Sequence, residues 1–220
     1  MRKPQGRQKG WSGCVLQFPS GPYFHPMLHI AVFCGASSGH DPIHVATARE
    51  VGRAIAQRGL GVVYGGGHVG LMGAVADAAM EAGGRVVGVI PGFMTERELA
   101  HERVSELVIV RDMHERKLVM HERSQAVIAL PGGFGTMDEL FELLTWRQLG
   151  LHAKPMGLLN VNGFYDPLLA MFDRAVADGF LRQQNRAMAL ADTDIAGLLA
   201  QMENYRAEPV SKWLKEEKQL

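Results

Sequence analysis

The sequence predicts an α/β fold, a Rossmann-like, doubly wound parallel sheet with helices on both faces. Short runs rich in Val, Ile and Leu alternate with segments of helical period through most of the chain. Several of these runs are continuously apolar rather than alternating, as strands covered on both faces must be. Three end in small, glycine-rich turns, on the sheet edge where ligands of such folds collect.

The elements follow in order. Residues 29–34 (HIAVFC) read as a buried strand ending at Gly35. Residues 42–58 carry Ile43, Ala46, Val51 and Ile55 near helical spacing, with Asp41 as the cap. Residues 61–64 (GVVY) form the second strand, and 71–81 an alanine-rich helix stopped by Gly83-Gly84. Residues 85–90 and 107–110 supply two more strands. Residues 112–124 are helical, 126–130 (AVIAL) a fifth strand, 137–149 a helix, 156–160 a sixth strand and 167–178 a helix. Right-handed crossovers then make the sheet parallel.

The alternation belongs to a single domain over residues 27–210. Residues 1–26 hold Arg2, Lys3, Arg7 and Lys9 without an acid, together with several prolines, and read as a disordered extension. Met27 is a candidate natural start. Residues 211–220 read as a charged tail.

Composition narrows the function. A formal net charge of +0 gives no bulk attraction for nucleic acid. No apolar run approaches the roughly 20 residues that span a bilayer. Cys14 and Cys34 lie far apart and make no C-x-x-C pair, so the expected compartment is a reducing cytoplasm.

The three turns are Gly35-Ala36-Ser37-Ser38-Gly39, Gly65-Gly66-Gly67-His68-Val69-Gly70 and Pro131-Gly132-Gly133-Phe134-Gly135-Thr136. Glycine lets the backbone approach a phosphate, and N–H groups at a following helix start face the anion. Three such turns on one predicted edge point to a phosphate-bearing nucleotide, held chiefly on the second and third. Gly65, Gly67 and Gly70 match G-x-G-x-x-G, yet the next strand ends in Ile90-Pro91, without the acid a dinucleotide site needs. No G-K-[ST] follows either cluster, so this is not a P-loop. Glu139 falls in the first turn of the helix after the third loop, where the macrodipole alone favours an acid. Arg116 and Lys117 offer cations on a neighbouring helix, which a solvated face would also explain. His101, His114 and His121 each open a His-Glu-Arg triplet, but the i, i+4 pairing of helical metal sites is absent. No metal or cofactor is expected. Trp146, Phe141 and Leu144 read as core or subunit interface.

Tyr64-Gly65-Gly66-Gly67, Gly70-Leu71-Met72-Gly73, Gly88-Val89-Ile90-Pro91, Met113-His114-Glu115-Arg116-Lys117 and the run Pro131 to Glu139 together resemble the Lonely Guy (LOG) family. The likeness runs in order from about Ile30 to about Phe180, through Thr145-Trp146-Arg147-Gln148-Leu149-Gly150 and Lys154-Pro155. Members are cytokinin riboside 5′-monophosphate phosphoribohydrolases, a group also called possible lysine decarboxylases. The resemblance implies hydrolysis of the N-glycosidic bond of N6-substituted adenosine 5′-monophosphates, to free base and ribose 5-phosphate, by a homodimer. It implies Arg116 and Glu139 as catalytic residues. Glu98, Lys117, Gly133, Phe134, Gly135, Thr136, Met137, Asp138, Glu139 and Thr145 match positions that contact substrate. Ser37, Gly66 and Gly67 are candidate further contacts to phosphate or ribose. Ala36 departs from the serine that many members have in the first loop.

Glycosidic cleavage passes through an oxocarbenium-like sugar, which Glu139 would stabilise or attack with an oriented water. Arg116 would hold the phosphate or ribose side and keep Glu139 ionised by proximity. Asp138, Glu98 and solvent are all open as proton donors to the base, and Met94 and Met113 are candidates to line its pocket. Two other classes stay in view. One is a non-catalytic nucleotide carrier on the same fold, against which intact Arg116 and Glu139 argue. The other is a pyridoxal phosphate decarboxylase, for which Lys117 is the only nearby Schiff-base lysine.

Overall fold

The computed structural model describes residues 28–95 and 100–207. The expectations for residues 1–26 and 211–220, and for Glu98, lie outside them.

Among the described residues, seven parallel strands form one sheet: β1 (His29–Phe33), β2 (Gly61–Tyr64), β3 (Val86–Pro91), β4 (Glu106–Val110), β5 (Ala126–Ala129), β6 (Met156–Leu159) and β7 (Ala189–Asp192). Their order is β4-β3-β2-β1-β5-β6-β7. The chain therefore builds outward from β1 to β4, returns, and builds the other way from β5. The reversal lies between β1 and β5, which pair from Ile30↔Ala126 to Phe33↔Ala129. In an open α/β sheet that switch point leaves a crevice at the strands' carboxyl ends.

Helices α1 (Pro42–Gln57), α2 (Gly70–Glu81), α3 (Gly92–Thr95), α4 (Met113–Glu122), α5 (Phe134–Gln148), α6 (Asp166–Ala177), α7 (Gln183–Arg186) and α8 (Ile195–Asn204) connect or follow the strands. Side chains of β1 alternate between two cores, as the period of a strand requires. Ile30 and Val32 join Val51 and Ile55 of α1, Val75 of α2 and Leu198 of α8. Ala31 and Phe33 join Met120 of α4, Leu140 and Leu143 of α5 and Phe172 of α6. Both faces are covered, which explains the unbroken apolar character of the central strands.

Local signals account for the starts of the main helices. Asp41 accepts a hydrogen bond from the Ile43 N–H (3.0 Å), with Pro42 in the first turn. Asp112 caps α4 by accepting from the N–H groups of His114 (3.0 Å) and Glu115 (2.9 Å). In contrast, α5 begins at Gly133 with no side-chain cap and leaves its first N–H groups open. It starts three residues earlier than the apolar period indicates, so Glu139 lies in its second turn. A first-turn dipole preference therefore does not explain that acid.

β7, α7 and α8 were not legible as elements. β7 is a four-residue edge strand, ALAD, mostly half-buried, with little apolar signal. No helix among the described residues is long and apolar enough to cross a membrane.

Candidate active site

The crevice at the β1/β5 switch point is a cleft of about 530 Å³. The first and third glycine turns form its floor. They are tied together where the Gly35 N–H donates to the Pro131 carbonyl (3.0 Å). A Cβ at Gly132 would stand 2.1 Å from Thr136 Oγ1 and 2.9 Å from the Gly35 nitrogen, so only glycine permits this seam. Gly133, Gly135 and Thr136 bring the uncapped start of α5 to the cleft wall, alongside Ser37 and Ser38. Open N–H groups and the helix dipole make that start a place for an anion.

Arg116 and Glu139 are both buried against the same cleft. The Arg116 guanidinium donates through Nη2 to the Gly65 carbonyl (3.2 Å) and through Nη1 to Met113 Sδ (3.8 Å). The same Nη2 lies 3.8 Å from Glu139 Oε1, an ion pair just beyond hydrogen-bond length. Burial pushes the Glu139 carboxyl up to about 7; the Arg116 charge opposes that rise without cancelling it. Proximity to Arg116 therefore does not keep Glu139 ionised; burial leaves the carboxyl able to take up or give a proton near neutrality. Cys34, at the inner end of the cleft, is held as a neutral thiol by burial and by the neighbouring Glu139 charge.

The second glycine turn has another task. A Cβ on Gly65 would fall 1.6 Å from Arg116 Nη2, so this position is the seat of the guanidinium. Gly66 and Gly67 do not line the cleft. The Gly66 carbonyl accepts from the His101 N–H (2.9 Å), and Gly67 bridges Ala100. The turn holds the returning chain instead of facing the crevice.

Lys117 also turns away from the cleft. Its ammonium pairs with Asp138 Oδ2 (3.0 Å) and Glu142 Oε2 (3.2 Å), joining α4 to α5. Burial works to lower its pKa, yet those two carboxylates hold it above the ordinary lysine value. Asp138 is largely exposed and Phe134 is 96% exposed. Thr145 donates to the Phe141 carbonyl (2.8 Å) within α5, and Met137 packs partly against the second core. None of these lines the cleft of its own chain. Met94 does, whereas Met113 is absent from the lining and accepts from Arg116 through its sulfur. His101 and His121 are separate: one bonds Asp77 (3.2 Å), the other stacks edge-on against Trp146.

The model of the family described as "Possible lysine decarboxylase" matches residues 72–202. A probable cytokinin riboside 5′-monophosphate phosphoribohydrolase of Oryza sativa subsp. japonica, LOGL1, is 48% identical over 176 residues, covering 80% of this chain and 79% of its own. The Arabidopsis thaliana cytokinin riboside 5′-monophosphate phosphoribohydrolase LOG7 is 45% identical, covering 81% of this chain and 82% of its own. The chain belongs to the LOG family. Among solved structures, the molybdenum cofactor carrier protein of Chlamydomonas reinhardtii superposes with a TM-score of 0.61 at 22% identity, over 80% of this chain and 94% of that one. That likeness establishes the shared fold of the LOG-family chain alone.

Two cleft residues of this LOG protein escaped sequence reasoning. His44 lies on α1 and Phe164 follows β6, and each lines the crevice. Neither sits in a recognisable motif, and only the fold brings them together.

Proposed function

We propose that this protein hydrolyses the N-glycosidic bond of N6-substituted adenosine 5′-monophosphates, and also of AMP, releasing free base and ribose 5-phosphate. The observation that carries the reading is the buried Arg116–Glu139 pair beside the open start of α5, in one cleft at the switch point. Relatives named for this reaction support it.

The 5′-phosphate lies on the N–H groups of Gly135 and Thr136, which fixes the ribose relative to Glu139. As the C1′–N9 bond lengthens, positive charge builds on the ribose and the Glu139 carboxylate stabilises it. The same carboxylate accepts a proton from the water whose oxygen bonds to C1′. The electron pair of the broken bond leaves with the base, and the proton gained by Glu139 is then available to that base. A pKa near 7 suits a group that takes and returns a proton at neutral pH. Arg116 orients the carboxylate and limits its upward shift.

We further propose a cytoplasmic homodimer. Phe134, Phe141, Leu149 and Leu151 are exposed on or just after α5, and Thr145 shares that helix. A second copy would cover them and receive Thr145 at its own cleft. The balanced charge favours a small nucleotide over a nucleic acid. Chromatographic detection of free base and ribose 5-phosphate from isopentenyladenosine 5′-monophosphate and from AMP tests the reaction. Light scattering after gel filtration tests the dimer.

A further inference from the structure

We infer that His44 is the side chain that binds the 5′-phosphate, and that it makes the cleft prefer nucleotides over nucleosides. The inference rests on the proposed nucleotide reading and adds a residue to it.

Among the described residues, Arg116 and His44 are the two basic side chains on the cleft wall. Arg116 is committed to the Gly65 carbonyl and faces the Glu139 carboxylate. A phosphate at the start of α5 therefore finds backbone N–H groups and hydroxyls, but no basic side chain free of other partners except His44.

The His44 ring lies against the first loop, where a Cβ on Gly39 would be 2.9 Å from Cδ2 and 3.8 Å from Nε2. Gly39 has φ +74°, and its missing side chain is the space that the imidazole edge uses. On another side the ring meets Phe164 edge-on, with centroids 6.5 Å apart at 77°. Phe164 is itself held edge-on by Tyr165 at 5.1 Å, and the Tyr165 hydroxyl donates to the Leu130 carbonyl (2.7 Å). Asn162, at φ 50°, is the one non-glycine residue with positive φ among those described, and it shapes the turn that presents Phe164.

His44 Nδ1 is shut from solvent and finds no hydrogen-bond partner among the described residues. A phenylalanine would fill the same space without that cost. The imidazole gives something in return only through Nε2, the nitrogen beside the first loop. Nε2–H donates to a phosphate oxygen, a charge-assisted hydrogen bond.

The test is calorimetric binding of AMP and adenosine in a Glu139→Gln background, which does not consume AMP, with His44 intact and with His44→Phe, which keeps the ring contact with Phe164. The variant is expected to lose about 10- to 100-fold in affinity for AMP, the scale of a hydrogen bond to a charged group. Its adenosine affinity is expected to stay within about twofold, as befits a residue that touches only the phosphate. Equal weakening of both ligands, no change in either, or a protein with His44 intact that does not prefer AMP would each overturn the inference. His44→Leu carries the same comparison if the phenylalanine variant does not fold. Base release by the wild type is measured separately, so failure of the hydrolase reading is distinguishable from failure of the phosphate contact.

Discussion

Gly65 and Arg116 occupy each other's space: the guanidinium Nη2 stands 1.6 Å from where a Gly65 Cβ would be, and donates to the Gly65 carbonyl at 3.2 Å. A strand end and a helix on different elements thereby fix the cation that faces Glu139. Gly65→Ala must push the guanidinium away, because the clash is with its bonded end and not with a free tail. Turnover is expected to fall by about 10²–10³, the cost of losing one preorganised group. Steady-state kinetics beside a thermal melt checks this; unchanged kcat in a folded variant would remove Arg116 from the mechanism.

Glu139 gives a pH dependence with two signs. Its folded pKa of about 7 is raised above the ordinary 4.5. Between those values the folded state holds a proton that the unfolded state has lost, so Glu139 stabilises the fold fully below about 4.5 and the contribution disappears as pH rises through 7. Glu139→Gln mimics the protonated form. It is expected to match wild type near pH 4 and to exceed it by about 1–3 kcal/mol at pH 8 to 9. Chemical denaturation at those pH values measures the difference. Activity runs the other way, since wild-type kcat is expected to rise on the acid side with a midpoint near 7.

Lys117 is expected to act through Glu139. Its charge opposes the rise in the Glu139 pKa, while Asp138 and Glu142 promote it. Lys117→Met leaves Arg116 alone to oppose those two carboxylates. The acid limb of kcat is then expected to move up by about half a unit to one unit, with little loss at pH 9. A pH–rate profile checks it. A rise in KM at every pH would instead mark Lys117 as a substrate contact.

The seam between the first and third turns predicts a third kind of loss. In Gly132→Ala the new methyl meets the Gly35 backbone at 2.9 Å, which cannot move aside as a side chain can. Spreading the seam displaces the start of α5. AMP affinity is expected to weaken by about 10- to 100-fold, as misplacement on the scale of 1 Å commonly costs. Adenosine affinity, measured by the same titration, is expected to change far less.

The sheet was legible because β1, β2, β3 and β5 are apolar runs closed by glycine or proline, and both their faces are buried. β7 was not, since a half-buried edge strand of four residues carries little signal. Order in space was invisible as well: nothing local in residues 126–130 says that they lie beside β1. At the site, Arg116 and Glu139 were readable from their motifs, but not their shared burial or the resulting pKa. Gly66 and Gly67 carry the residue type and spacing of a phosphate loop, yet face the chain around Ala100. His44 and Phe164 are separated by too much sequence for any pattern to join them.

The most direct test of Glu139 as the catalytic carboxylate is base release from isopentenyladenosine 5′-monophosphate by wild type and by Glu139→Gln, followed by chromatography at pH 8. Catalysis by Glu139 predicts free base and ribose 5-phosphate in equal amounts from wild type, and turnover lower by about 10²–10⁴ in the variant while the nucleotide still binds. Equal turnover by the two proteins would contradict it, as would a folded, nucleotide-bound wild type that releases no base.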